Sequence, residues 1–206
     1  MNYGQLKAAV IQYAKRSDIT ALFPTFLELA EQRIYWGAQE GDVPPLRLSS
    51  MLKTVNPAGS TLPSDFVEMK RICAVMGPTL KKALDFKPVE NMGEQEGASG
   101  SPTFYSLQGN TITYSPTFSQ DVEMIYYGTF TTPVSDADTN WLLTNASSIY
   151  LNALLIEVAT WAYDDQLLAK ATARFASAMN SLQAQDDGNK HSGAQLRIMQ
   201  DSRRLI

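Results

Sequence analysis

An α+β fold is predicted, with helices at both ends of the chain and strands between them. Three observations predict it. Residues 149–163 are apolar or small at almost every position, with only Asn152, Glu157 and Thr160 clearly polar. A helix apolar on nearly all faces is buried on nearly all faces. Residues 46–131 carry short β-prone runs separated by Gly, Pro, Asn and Ser, the pattern of strands and turns. Helices and strands are segregated along the chain, unlike the alternation of a βαβ fold. The predicted organisation is a helical bundle formed by the N- and C-terminal segments (1–40 and 140–187), an inserted antiparallel β-rich lobe (45–135) and an extended C-terminal arm (188–206).

In the first helix Leu6, Ala9, Val10 and Tyr13 share one face, and Ser17 and Asp18 break the run. Pro24 suits the first turn of a second helix, where its missing N–H costs little. Behind it Phe26, Leu27, Ala30 and Ile34 form a stripe, with Glu28, Glu31, Gln32 and Arg33 expected to face out. Gly37, Gly41, Pro44 and Pro45 end the helical section.

Leu46, Leu48 and Leu52 predict a strand, followed by a turn in NPAGSTLPSDF. The broken alternation of Val67, Met69, Ile72 and Ala74 predicts a strand with a bulge. Residues 86–103 are rich in Gly, Ser and Glu and read as a long surface loop with one helical turn near Val89–Met92. Residues 104–114 form a hairpin signal around Gln108-Gly109-Asn110, because Gly and Asn tolerate the positive φ of tight hairpins. Val122, Met124 and Tyr126 alternate in a further strand.

The run 149–163 is too short, and with Glu157 too polar, to span a bilayer. Leu168, Ala171, Phe175, Ala178, Met179 and Leu182 then recur at helical spacing, predicting an amphipathic helix that covers the first. Asn145 is the expected N-cap of the core helix, and Asp164 and Asp165 suit the start of its partner. The Gly188-Asn189 pair is expected to break that second helix and begin the arm.

Composition narrows the function classes. A net charge of −4 over 206 residues and a pI near 5.0 oppose a surface that wraps nucleic acid, which needs clustered Lys and Arg. They leave room for a protein that lets DNA pass without holding it. The single cysteine, Cys73, rules out an internal disulfide and a thiolate cage. No secretion signal is read at the N-terminus, so a reducing, intracellular setting and a soluble protein are expected.

No reactive centre emerges, and neither a cofactor nor a metal site is expected. The sole histidine, His191, lies in the tail region, where a general base would lack a fixed partner. Cys73 sits between Ile72 and Ala74 in a strand pattern and reads as a small buried hydrophobe. Asp136-x-Asp138-x-Asn140 opens like a calcium loop, but the sixth position is Trp141 and the twelfth is Ser147, where Gly and Glu are needed. A turn and helix cap is the better reading. Gly93, Gly97 and Gly100 lack the Lys-Ser/Thr of a phosphate loop. Asp164/Asp165 and Asp186/Asp187 are adjacent pairs whose side chains point about 100° apart on a helix, so they read as solvated helix ends.

Four stretches in fixed order carry a resemblance. They are ITALFPTFLELAEQRI (19–34), similar to "PxFIxLAExRI", and TLPSDFVEMKRI (61–72), similar to "LPxDFLELRxL". SPTFYSLQGNTITYSP (101–116) then looks like "xPxxYxxxGxxxxxxP". Last comes the strand VEMIYYGTFT leading through SDADTNWLL into the Tyr-containing core helix. This pattern, over about the first nine-tenths of the chain, resembles the head-to-tail adaptor (connector) proteins of short-tailed and related bacteriophages. The resemblance implies a non-enzymatic virion protein at the portal vertex, made in the host cytoplasm. It implies a homo-oligomeric ring, a dodecamer, beneath the portal protein, extending the channel for genomic DNA and giving nozzle or tail-tube proteins a platform. No membrane partner is implied. Arg197, Ile198, Arg203, Arg204, Leu205 and Ile206 are the residues expected to reach the portal or a neighbour. The alternative is a small monomeric binding module using Phe104, Tyr105 and Tyr114 on the hairpin as an aromatic platform; a hydrolase using acidic residues is a more distant rival.

Overall fold

The computed structural model describes residues 1–37, 43–56, 60–77, 80–92, 100, 102–116 and 121–191, the His191 side chain excepted. Among these residues the chain forms five α-helices and seven strands, an α+β architecture.

Helix α1 (Tyr3–Ala14) starts at a reciprocal cap. Asn2 Oδ1 accepts from the Gln5 N–H at 2.8 Å and Gln5 Oε1 accepts from the Asn2 N–H at 3.1 Å, satisfying two donors at the helix start. It ends at Lys15, in the left-handed region at φ 52°. A 3-10 turn (Thr20–Leu22) leads into α2 (Phe23–Trp36), with Pro24 in its first turn. Phe23, Leu27, Ala30 and Ile34 form the buried stripe of α2. Gly37 stops it at φ 84°, where a Cβ would stand 3.0 Å from the Val43 carbonyl oxygen, so the site suits glycine alone.

Helix α3 (Trp141–Asn145) is capped by Asn140, whose Oδ1 accepts from the Leu143 N–H at 2.8 Å. The expected cap at Asn145 is therefore corrected. Asn145 closes α3 and its Nδ2 donates to the Trp141 carbonyl, while α4 (Ser147–Ala162) starts from Ala146 without a side-chain cap. Helices α1, α2, α3 and α5 all pack against α4, so Ile149, Tyr150, Ala153, Leu154 and Val158 are fully enclosed. Asp164 accepts from the Leu167 N–H at 3.0 Å and opens α5 (Asp165–His191), which buries Ala171, Phe175 and Met179. The expected break at Gly188 is also corrected: α5 runs through it to His191. Lys190 bonds Asp186 and Asp187 one turn back, stabilising the turn that contains the glycine.

The strands make two sheets. The first has the order β1-β7-β2-β3, all antiparallel, from β1 (Leu52–Val55), β2 (Phe66–Val75), β3 (Lys81–Ala83) and β7 (Val122–Gly128). The predicted bulge is present, with register shifts between Phe66 and Glu68 and between Met69 and Arg71. Leu46 and Leu48 precede β1 outside any strand, buried against the helices. The second sheet has the order β4-β5-β6, from β4 (Asp85–Phe86), β5 (Phe104–Gln108) and β6 (Thr111–Ser115). Its β4–β5 pair runs parallel, a correction to the all-antiparallel expectation. The β5–β6 turn places Gly109 at φ 58°, as the hairpin signal required. One residue, Leu84, joins β3 of the first sheet to β4 of the second, and its N–H donates to the Ile72 carbonyl at 3.0 Å. The helical turn predicted near Val89–Met92 is a 3-10 turn, Val89–Asn91; residues 93–99 and 101 of that loop lie outside the described residues.

Two apolar clusters result. The larger gathers the helices with Val67, Tyr127 and Phe130. The smaller lies between the sheets, from Ile72, Ala74, Val122, Met124, Tyr126, Tyr105 and Ile112.

Candidate interaction surfaces

Several polar and chemistry-bearing side chains among the described residues have partners within the fold. Cys73 is buried in β2, and the Arg71 Nε–H donates to its sulfur at 2.9 Å. Among the described residues no group of three His, Cys, Asp or Glu side chains is arranged to hold a metal. The Asp136–Asn140 segment is a turn and cap: Asp138 accepts from the Val134 and Ser135 N–H groups at 2.9 and 2.7 Å. Those two backbone donors hold its carboxyl below the usual range.

One partly buried polar network ties helices to the strand exit. Tyr150 on α4 donates to Glu31 Oε1 at 2.7 Å, and Thr132 Oγ1 donates to Glu31 Oε2 at 2.6 Å. Asn140 Nδ2 donates to the Tyr150 oxygen at 3.1 Å, and the Phe130 N–H to the Tyr35 oxygen at 3.2 Å. Burial raises the Glu31 carboxyl above its ordinary value, although both hydroxyl donors oppose the shift. Burial, with Tyr35 and Glu31 nearby, pushes the Tyr150 hydroxyl up as well. Glu31 thus points inward, against expectation; its i+3 and i+4 neighbours gave no hint of partners more than a hundred residues away. On the other face of α2, Arg33 pairs with Glu157 of α4 at 2.9 Å.

A second cluster clamps the first sheet. Lys53 on β1 donates to Asp65, and Tyr126 on β7 donates to the same carboxylate at 3.0 Å. Burial would raise Asp65, but these donors outweigh it and hold the carboxyl below its usual value. Burial and the Asp65 carboxylate push Tyr126 up to about 12. Gly128 makes room for the clamp, since a Cβ there would stand 2.7 Å from Asp65 Oδ2.

The aromatic hairpin does not present an open platform. Tyr105 is buried and Tyr114 half-buried; Phe86 packs edge-on against Tyr105, and Lys87 Nζ sits 3.6 Å over the Phe104 ring. Large apolar side chains reach solvent elsewhere. Leu29 and Trp36 lie on the outer face of α2 with Glu28 and Gln32. Tyr13, Trp161 and Tyr163 lie at the C-terminal ends of α1 and α4; Tyr163, 93% exposed, holds the left-handed cap of α4. There Trp161 is flanked by Phe26 at 6.2 Å and by the Arg16 guanidinium at 4.9 Å. Met76, Leu80, Phe86 and Val89 form the third exposed group, around β3 and β4. Among the described residues no helix is long and apolar enough to cross a membrane.

The last turns of α5 border a groove of about 230 Å³, lined by Leu48, Trp141, Asn145, Leu182, Gln185, Asp186 and Asn189. Asp186 is not the solvated helix end expected of it. Its carboxylate accepts from the Ser49 N–H at 3.0 Å and from Ser49 Oγ at 3.2 Å, and pairs with Lys190 at 2.7 Å. Burial would raise it, but the Lys190 and Ser49 donors prevail and lower it. The expected contact residues Arg197, Ile198, Arg203, Arg204, Leu205 and Ile206 lie outside the described residues.

Compared with known protein families, the chain matches the one described as SU10 adaptor protein over residues 1–198. No curated protein matches it.

Proposed function

The chain belongs to the SU10 adaptor protein family, a family of phage head–tail adaptors, and we propose that it works as a ring-forming connector beneath the portal protein. In this reading the protein is a virion component at the head–tail junction. Copies assemble into a closed ring, a dodecamer, that extends the DNA channel and gives tail proteins their platform. The observation that carries the reading is a family match spanning nearly the whole chain, helices and sheets alike.

The geometry supports contact work. A ring built from head-to-tail contacts needs two different patches per copy. Exposed apolar side chains are available on the outer face of α2, at the Trp161 end of the helices and around β3–β4. The helices of segment 1–40 and of 140–191 act as one body, the strands of 45–135 as a lobe on it, and the residues after α5 as an arm whose Arg197, Ile198, Arg203, Arg204, Leu205 and Ile206 engage the portal or a neighbouring copy. The net charge of −4 keeps a channel wall from holding DNA, because like charge repels phosphate.

Purified protein mixed with isolated portal rings tests this. Co-sedimentation at a fixed ratio, with a ring of density under the portal in electron micrographs, is the expected result. Persistent separation of the two would overturn it.

A further inference from the structure

We propose, independently of the connector reading, that residues 130–140 between β7 and α3 form a strap that opens as one unit. Its opening frees the first turn of α1 and the cap of α3 while the core around α4 stays closed.

The strap has no helix or strand of its own, and in it only Phe130 and Pro133 are buried. Polar bonds hold it instead. Toward α2, Thr132 Oγ1 donates to Glu31 Oε2 at 2.6 Å and the Phe130 N–H to the Tyr35 oxygen at 3.2 Å. Toward α1, the carbonyls of Asp136 and Asp138 accept from the Gly4 and Tyr3 N–H groups, each at 2.9 Å, and Lys7 pairs with Asp136. Asn140 joins the remaining parts. Its Nδ2 donates to the Thr131 carbonyl at 3.0 Å and to the Tyr150 oxygen on α4 at 3.1 Å, while its Oδ1 caps α3. Thr129, just before the strap, is pinned to the sheet by the Asp65 carbonyl and by Lys53.

These bonds make the opening collective. The first N–H groups of a helix have no partner within it, and in α1 the strap satisfies those of Tyr3 and Gly4. Lifting the strap therefore bares both, and through Asn140 it also uncaps α3. A segment with little apolar burial, held by bonds near solvent, opens at a lower free energy than the core. Glu31 is the weak anchor. Its half-buried carboxylate accepts from two hydroxyls, and no Lys or Arg among the described residues pairs with it. Withdrawing a charge from water without a cation is costly, and the raised carboxyl of Glu31 reflects that cost. Opening returns Glu31 to water and presents Phe130 and Tyr3, both buried here.

Amide hydrogen exchange in the full chain, followed by nuclear magnetic resonance, tests the strap. Thr132→Val removes the hydroxyl that reaches Glu31, at a position exposed to solvent. Exchange at Tyr3, Gly4 and Leu143 should then speed up together, several-fold, while Leu154 and Leu155 in α4 keep their native rates. Thr132→Ser, which retains the hydroxyl, should exchange like the native chain. Unchanged rates at Tyr3 and Gly4 in Thr132→Val would overturn the proposal. Acceleration of Leu154 in step with them would also overturn it, because the whole fold would then be loosening. Equal acceleration in Thr132→Ser would overturn it too, since the bond to Glu31 would not be what holds the strap.

Discussion

The helical part and the paired sheets bury apolar surface in different ways. Helices α1, α2, α3 and α5 pack on α4, and between Ile149 and Ala159 its apolar residues other than Leu151 are enclosed to within a few per cent. Between the sheets a smaller cluster is drawn mainly from β2, β5, β6 and β7, while large side chains such as Leu80 and Phe86 are left in solvent. The contrast teaches that one chain can enclose a central helix almost completely and still leave large apolar side chains in solvent on helices and sheets alike. The helices supply the larger enclosed core, and the sheets supply the thinner one.

The sharpest way to break that comparison is to truncate both cores. Leu154→Ala, in α4, should cost about 4–5 kcal/mol, at the upper end for buried leucines, because surrounding helices cannot close the cavity. Ile112→Ala, between the sheets, should cost about 2–3 kcal/mol, since strands with free edges relax more readily. Urea unfolding measures both, and a larger loss at Ile112 would reverse the argument. Next in size is Tyr150→Phe, which strips a donor from Glu31 and an acceptor from Asn140. It should cost about 1–3 kcal/mol, with the thermal midpoint as readout.

Proton linkage separates the regions by sign. Glu31, in the helical network, has its carboxyl raised above the ordinary 4.5. The stability it contributes is present in full below that value and is lost as pH rises through its raised one. Against Glu31→Gln, the native chain should therefore lose ground on going from acid toward neutral pH. Asp65, in the sheet clamp, has its carboxyl held below the ordinary 3.8. Its contribution is present above that value and is lost as pH falls through the lowered one. Against Asp65→Asn, the native chain should lose ground only in strong acid. Denaturation midpoints followed across pH check both slopes, and slopes of the same sign would erase the distinction.

The smallest effect concerns α5. A Cβ at Gly188 would meet nothing within 4 Å, so Gly188→Ala should stabilise the helix by up to about 1 kcal/mol. A loss of helicity by circular dichroism would restore the break at Gly188.

Much of this division is legible in the sequence because it rests on local periodicity. The all-round apolar run marks α4, the interrupted alternation marks the bulge in β2, and the Gly109-Asn110 pair marks the hairpin. What escaped has non-local causes. Glu31 looks solvent-facing on its own helix, and only Tyr150 and Thr132, brought in from far along the chain, hold it half-buried. Asp186 looks like a frayed end until Ser49 arrives 137 positions away. Asn140 and Asn145 were equally good caps by type, and the choice fell to the extra short helix between them. Gly188 breaks a helix by propensity alone, while the ion pairs of Lys190 hold the helix across it. The exposed aromatics are the hardest to read, because the exposure of Trp36 or Trp161 depends on which helices pack beside them.

Leu84 has a mechanical consequence. With a single buried residue between β3 and β4, pinned to Ile72 by its backbone, the two sheets have no hinge between them at that crossing. A pull applied to the outer hairpin is passed through β3 to β2 and β7, and from there to Val67, Tyr127 and the helices behind them. Leu84 is thus the short covalent joint between the hairpin's sheet and the sheet that packs on the helices.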